Sequence, residues 1–347
     1  MVSFSFVLTF WLQKVRVSKE KDKITLPLSV LLKRKYILLL LLLVAQFSIA
    51  QTDSVPAKSN ADSLHAIFGK THDFYPKRFV LVVSSEAVLY GSSMYGLSQL
   101  WYKDYPHTSF HFFNDNEEWL QMDKVGHFTT SYYIGRVGIG FMKWTGVDKK
   151  KAAWYGGMLG SVYQSTIEIL DGYSAGWGFS IGDFAANTAG SLLVVGQQLA
   201  WDDQRIVLKY SFKDSKMAQY RPELLGNTTT EKLLKDYNSQ TYWLSVNPSA
   251  FMSKGTKFPK WLNIAVGYGA KGMTGGDFNP PYIDANGYQI YHERYRQYYL
   301  SLDVDLTRIK TKSKLLKAVF YSVGFIKIPA PQIEFSKKGI GFDAFGY

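Results

Sequence analysis

Residues 121–133 read QMDKVGHFTTSYY, residues 163–174 read YQSTIEILDGYS and residues 179–191 read FSIGDFAANTAGS. Asp123 and His127 stand four apart, Gln164, Glu168 and Asp171 follow at i, i+4 and i+7, and Asp183 and Asn187 are again four apart. At about 3.6 residues per turn, each set falls on one face of its helix. Ionisable groups on otherwise apolar helices are costly unless they meet partners, so the three faces are expected to pack together as a polar seam.

Working outward, Gly146 after Trp144 marks the end of one helix, which begins near residue 118. Asp148 is placed to cap the next, over about 149–171, and Ser180 to cap the last, over about 181–202. Gly156, Gly157 and Gly160 permit close helix–helix approach. Upstream, residues 79–102 form a long apolar stretch whose only charge is Glu86. As a helix of about 1.5 Å per residue it is long enough to cross a bilayer, or to lie buried in a bundle.

From Arg205 the period changes to two. Ile206, Leu208, Tyr210 and Phe212 alternate with more polar neighbours, and so do Tyr242–Val246, Leu262–Gly269 and Tyr298–Leu306. Two shorter strands are expected near 332–335 and 339–345, behind a Lys-rich helical segment at 312–323. The fold class is therefore α+β: a Gly-rich four-helix bundle over 78–203, then an antiparallel β-rich domain over 204–347. Outward apolar and inward polar residues also suit an outer-membrane barrel, but six strands fall short of the minimum of about eight. A sheet packed on the helices, or a partial barrel, is the expected form.

The formal charge is +12, and residues 1–50 hold eight Lys/Arg against two acids, which is half of it. Lys33-Arg34-Lys35, the apolar run from Tyr36 to Ala45 and the small residues Ser48 and Ala50 compose a secretory signal, with residues 1–32 as an over-extended start. Residues 51–77 read as a linker. The remaining charge forms no basic stripe interleaved with aromatics, so no nucleic-acid partner is expected. There is no cysteine, hence no disulfide, thiolate metal site or acylated cysteine. Export and a cell-envelope location follow, facing the periplasm, with the outer membrane favoured over the inner.

The seam admits two chemistries. His127, Glu168 and Asp183 could serve as acid and base on an envelope lipid or glycan, or the carboxylates and imidazole could hold a divalent metal. Alternatively, together with Asp123, Gln164, Asp171 and Asn187, they form a polar network or bind a small polar or lipid ligand. No HExxH or di-iron spacing is present, and no cofactor is implied. Gly172-Tyr-Ser174-Ala-Gly176 matches G-x-S-x-G, but a helix precedes it where a nucleophile elbow needs a strand. Gly272–Gly276 lacks the Gly-Lys-Ser/Thr of a phosphate loop and reads as a turn.

The string DKVGHF, IEILDGYS, WGFSIGDFAANTAGS and QQLAW resembles the YfiM-like family of predicted periplasmic lipoproteins over about 119–203. Residues 204–247, with LKDYNSQTYWLSVNP at their end, resemble the Bacteroidetes-type extension of that family. A fainter likeness links Asp123, Lys124, His127, Asp183, Asn187 and Gly190 to VanZ-like membrane proteins. The resemblance implies an envelope location and contact with a membrane or membrane protein, and brings no reaction with it. The missing lipobox cysteine departs from the lipoprotein pattern.

Overall fold

A computed structural model of the chain describes residues 73–98, 102, 105–253, 256–284 and 286–347. The expected signal segment and most of the expected linker lie outside these residues. The helical half comprises α1 (Pro76–Leu97), α2 (Met122–Trp144), α3 (Lys149–Gly157), α4 (Leu159–Gly172) and α5 (Ile181–Trp201). The β half follows with β1 (Ile206–Phe212), two short helices α6 (Pro222–Leu225) and α7 (Thr229–Lys235), then β2 (Gln240–Val246) and β3 (Leu262–Lys271). After the small hairpin β4 (Tyr282–Ile283) and β5 (Gln289–Ile290) come β6 (Tyr295–Val304), α8 (Lys314–Val323), β7 (Ala330–Ser336) and β8 (Gly339–Gly346). The α+β reading holds, with helices first and an antiparallel sheet after them.

The capping chemistry is as the residue types dictate. The Asp148 side chain accepts from the amides of Lys150 and Lys151, and Ser180 Oγ from the amide of Asp183. Three boundaries differ from expectation. α2 starts at Met122 rather than near 118, because Trp119, Leu120 and Gln121 all have positive φ and cannot enter a right-handed helix. The expected single helix over 149–171 breaks at Met158, after Gly156 and Gly157, which pack against Gly138, Ile139 and Val195. The apolar stretch expected to be able to cross a bilayer contributes α1, and no helix among the described residues is long and apolar enough to cross a membrane.

Helices α4 and α5 approach α2 more closely than side chains would allow. A Cβ on Gly160 would stand 2.1 Å from the Ser131 carbonyl oxygen, and one on Gly190 2.1 Å from that of Phe128. Both contacts fall on the turn of α2 that follows His127.

The six-stranded sheet has the order β1-β2-β3-β6-β7-β8, all antiparallel, and does not close into a barrel. The free edge of β1 is partly covered: the Tyr210 amide donates to the Phe325 carbonyl (2.8 Å) and the Lys327 amide to the Tyr210 carbonyl (2.9 Å). Helices and sheet share one core in which Tyr132, Tyr133 and Val194 meet Leu208, Tyr210, Tyr242 and Phe325. Polar side chains stitch the junction. The Tyr133 hydroxyl donates to the Leu208 carbonyl, and the Gln197 amide group pairs with both backbone groups of Ile206 (2.7 and 2.9 Å).

The helices cover only the β1 side of the sheet's outward face. Beyond them the row Leu244–Val266–Leu300–Ile333–Phe342 crosses five strands in register, with exposures from 37% at Ile333 to 72% at Phe342. The opposite face is enclosed and largely polar, around a small apolar cluster of Trp243, Ala265 and Tyr299. There Lys209 Nζ lies 2.8 Å from Asp303 Oδ2, both side chains fully buried. Ser245 Oγ donates to the same Asp303 oxygen at 2.7 Å, and Lys327 Nζ sits 5.0 Å from the centre of the Trp243 ring.

Gly190→Ala is expected to cost about 1–3 kcal/mol by overpacking. Gly196→Ala, where an added Cβ meets nothing within 4 Å, should be neutral or stabilising by up to about 1 kcal/mol. Denaturant unfolding of the two variants checks this. Asp303→Ala strands the buried Lys209 charge and should cost about 3–5 kcal/mol, most of it recovered in the double variant Lys209→Met/Asp303→Leu.

Candidate functional site

The seam forms where α2, α4 and α5 meet. Asp123 and His127 project from successive turns of α2, Gln164 and Glu168 from α4, and Asp183 and Asn187 from α5. The imidazole of His127 is their common neighbour. Its Nε2 lies 3.8 Å from Asp123 Oδ2 and 3.9 Å from Asp183 Oδ1, and its Nδ1 3.7 Å from Glu168 Oε1. The shortest contact is lateral, from Nδ1 to Asn187 Oδ1 at 3.1 Å, with Gln164 Nε2 at 3.5 Å. Asn187 Oδ1 also accepts from Ser131 Oγ at 3.3 Å.

Of the residues predicted from the sequence, six come together and one is set aside. Asp171, one turn beyond Glu168 on α4, accepts from the Tyr102 hydroxyl at 2.7 Å and serves the end of the helix rather than the imidazole. Four participants, Asp115, Lys124, Ser180 and Tyr237, are additional. Lys124 Nζ bridges Asp115 Oδ1 (2.7 Å) and Asp183 Oδ1 (2.9 Å). Ser180 Oγ, besides capping α5, donates to Asp115 Oδ1 at 2.6 Å. The Tyr237 hydroxyl donates to Asp123, reaching the seam from the chain just before β2. Lys124 was legible beside Asp123 in the motif. Asp115 and Tyr237 carry no local periodic signal that would mark them.

The electrostatics follow from burial and charge. Burial alone would push the His127 imidazolium down, but the carboxylates of Asp183, Asp123 and Glu168 outweigh it and lift the pKa to about 9. Burial, aided by the Asp123 and Asp115 charges, raises Asp183 to about 6 against the pull of His127 and Lys124. Burial also opposes the charge on Asp115, yet hydrogen bonds with the Asp183 carboxyl, Lys124 and Ser180 hold its pKa low. At neutral pH the seam is thus a protonated histidine and an ammonium set among carboxylates.

Asp123, His127 and Asp183 each offer one ligand atom, all within 4.8 Å of one another, the span a divalent cation needs. The Lys124 ammonium already neutralises Asp183 and Asp115, so an ion would have to displace it. Ser174, in the G-x-S-x-G match, is buried in the turn after α4, where its Oγ accepts from the Gly176 amide at 3.3 Å. A helix leads into that turn, and the strand–turn–helix context of a nucleophile elbow is missing.

The histidine has a definite pH signature. A folded-state pKa near 9 lies above the ordinary 6.5, so its stabilisation is complete below about pH 6.5 and is lost as pH rises through about 9. Unfolding free energy should fall by about 1–3 kcal/mol across that window, and His127→Gln should remove the fall. The parent-minus-variant difference is the readout, because Lys327, lowered to about 8 by burial, acts in the opposite sense in both proteins.

Residues 111–196 match the model of a family described as predicted periplasmic lipoprotein (DUF2279), which covers the seam from α2 to α5 and stops short of the sheet. The chain's 347 residues include no cysteine, the residue through which a lipoprotein is acylated. No curated protein and no solved structure matches the chain.

Proposed function

We propose that the chain is an exported cell-envelope protein that lies against a membrane through the outward face of its sheet, with the seam as the polar network that holds its helices in register. The carrying observation is the inverted alternation of β6. Tyr298, Leu300 and Leu302 are 50%, 44% and 46% exposed, while Gln297, Ser301 and Asp303 are 5%, 5% and 0% exposed. A sheet in water buries its apolar side, whereas a sheet facing acyl chains turns that side out and keeps its polar side in.

Open sheet edges are not tolerated in hydrocarbon, so the reading is contact with a bilayer and not passage through it. The family description supports the periplasmic side. The alternating strands favour the outer of the two membranes that face it. The ion pairing of Lys124 and His127 with Asp115, Asp123, Glu168 and Asp183 supports a structural seam.

A second reading, acid–base or metal-assisted chemistry on an envelope lipid or glycan, has one observation in its favour. Asn187 Nδ2 is buried at the seam with no hydrogen-bond partner among the described residues, beside the three clustered ligand atoms of Asp123, His127 and Asp183. Turnover of such a substrate that disappears in His127→Ala would establish it over the structural reading.

For the leading proposal, the full chain should float with phosphatidylcholine liposomes in a density gradient. Leu300→Lys/Phe342→Lys is expected to weaken that partitioning by about tenfold or more. Its melting temperature should change little, because both side chains are exposed. Equal flotation of parent and variant, or none by either, removes the proposal.

A further inference from the structure

The helices that start at the seam and those that start at the opposite end of the bundle begin with opposite charges. α2 and α5 run parallel, paired at their starts through Lys124 and Asp183 and at their ends through Lys143 and Asp202, and each has an aspartate in its first turn. α1, α3 and α8 instead begin with Lys77 and Arg78, Lys149–Lys151, and Lys314, with no acidic residue in the first turn. The helix dipole disfavours cations there, so these lysines do not serve their own helices.

Contacts between distant residues bring the three starts to one end of the molecule. Arg78 Nη1 donates to the Trp144 carbonyl at 3.4 Å, ahead of α3, and Lys149 Nζ pairs with Asp202 at 2.6 Å. Arg308, ahead of α8, pairs with the next residue, Asp203, at 2.9 Å. Four aspartates here are already engaged: Asp202 by Lys143 and Lys149, Asp203 and Asp305 by Arg308, and Asp148 by the cap of α3. Asp73 remains, exposed. Lys150, Lys151, Lys310, Lys312, Lys314 and Lys317 make no ion pair among the described residues, and all but Lys317 are exposed. From Leu306 to Ile333 the sequence has no acidic residue to balance them.

α8 sets an apolar strip among these lysines. Leu315 is 73% exposed, and Leu316 and Val319 are 44% and 43% exposed, three and four positions apart along one side. The helix is held to the protein elsewhere, with the Arg136 guanidinium 5.3 Å from the centre of the Tyr321 ring and Phe325 beyond its end in the core. Lysines around an exposed leucine and valine strip make the surface of a helix that lies in the headgroup layer of a membrane. A nucleic-acid backbone would satisfy the lysines but leave the strip facing water.

We propose that this end of the protein docks on an anionic phospholipid surface, with the lysines on the phosphates and the α8 strip inserted between headgroups. The contact goes beyond the sheet-face reading and does not rest on it. Acyl chains accept an apolar sheet whatever headgroup they carry, whereas the lysines respond to headgroup charge.

The test compares binding of the full chain to vesicles of phosphatidylcholine alone and of phosphatidylcholine with about one-third phosphatidylglycerol. The charged vesicles are expected to bind about tenfold or more tightly, and about 0.5 M salt should remove the gain. Lys310→Gln/Lys312→Gln/Lys314→Gln should lose most of the gain with an unchanged melting temperature, because all three side chains are exposed. An environment-sensitive fluorophore on Leu315→Cys labels a single site, since the chain has no cysteine, and its emission should shift to the blue on the charged vesicles. Leu300→Lys/Phe342→Lys should keep the phosphatidylglycerol gain, so this contact and the sheet-face contact can fail separately. Equal binding to both vesicles, a gain that survives the triple variant, an unshifted fluorophore, or tighter binding of a duplex oligonucleotide than of the charged vesicles would each overturn the assignment.

Discussion

A buried imidazolium has to be compensated, and the helical half of this protein is arranged around that requirement. His127 draws Asp123 from its own helix, Glu168 from α4 and Asp183 from α5, so the charge that would be expensive alone becomes the reason three helices share one register. Gly160 and Gly190 remove the side chains that would hold α4 and α5 away from α2. The polar contacts and the close backbone approach depend on each other, since either without the other leaves charge unpaired or space unfilled.

The seam is not purely a property of the helices. Tyr237 closes it from the β half by donating to Asp123. The left-handed segment that starts α2 is held from the same side, with the Tyr268 hydroxyl donating to the Leu120 carbonyl and Arg296 to Gln121 Oε1 at 2.6 Å. Positive φ at three successive non-glycine residues is strained backbone, retained only where surroundings enforce it. Sheet and bundle therefore determine together where the first turn of α2 points, and with it Asp123 and His127.

The sheet follows a different rule, with its apolar side outward and its ion pairs inside. Lys209–Asp303 and the Lys327–Trp243 contact fill one end of the enclosed face, and a cleft lined by Lys213, Tyr299 and Glu334 opens at the other. Where α2 and α5 cover the outward face, Leu208, Tyr210 and Tyr242 are buried as in any soluble core. Where they do not, the same kind of residue faces outward.

By itself the sequence determined the periodicities, because side-chain direction is fixed by local geometry. The i, i+4 pairs placed Asp123 with His127 and Asp183 with Asn187 on common faces. Asp148 and Ser180 announced their caps, and the shift to period two after Arg205 announced the strands. Tertiary structure alone decided which polar groups meet. Asp171 has the same helical spacing as Glu168 yet turns to Tyr102, whereas Asp115 reaches the seam from a loop and Tyr237 from a single 3₁₀ turn. It also decided which side of the sheet is enclosed, since alternation names two faces without saying which one the helices and the curvature will cover. Both questions depend on long-range packing, to which a local pattern is blind.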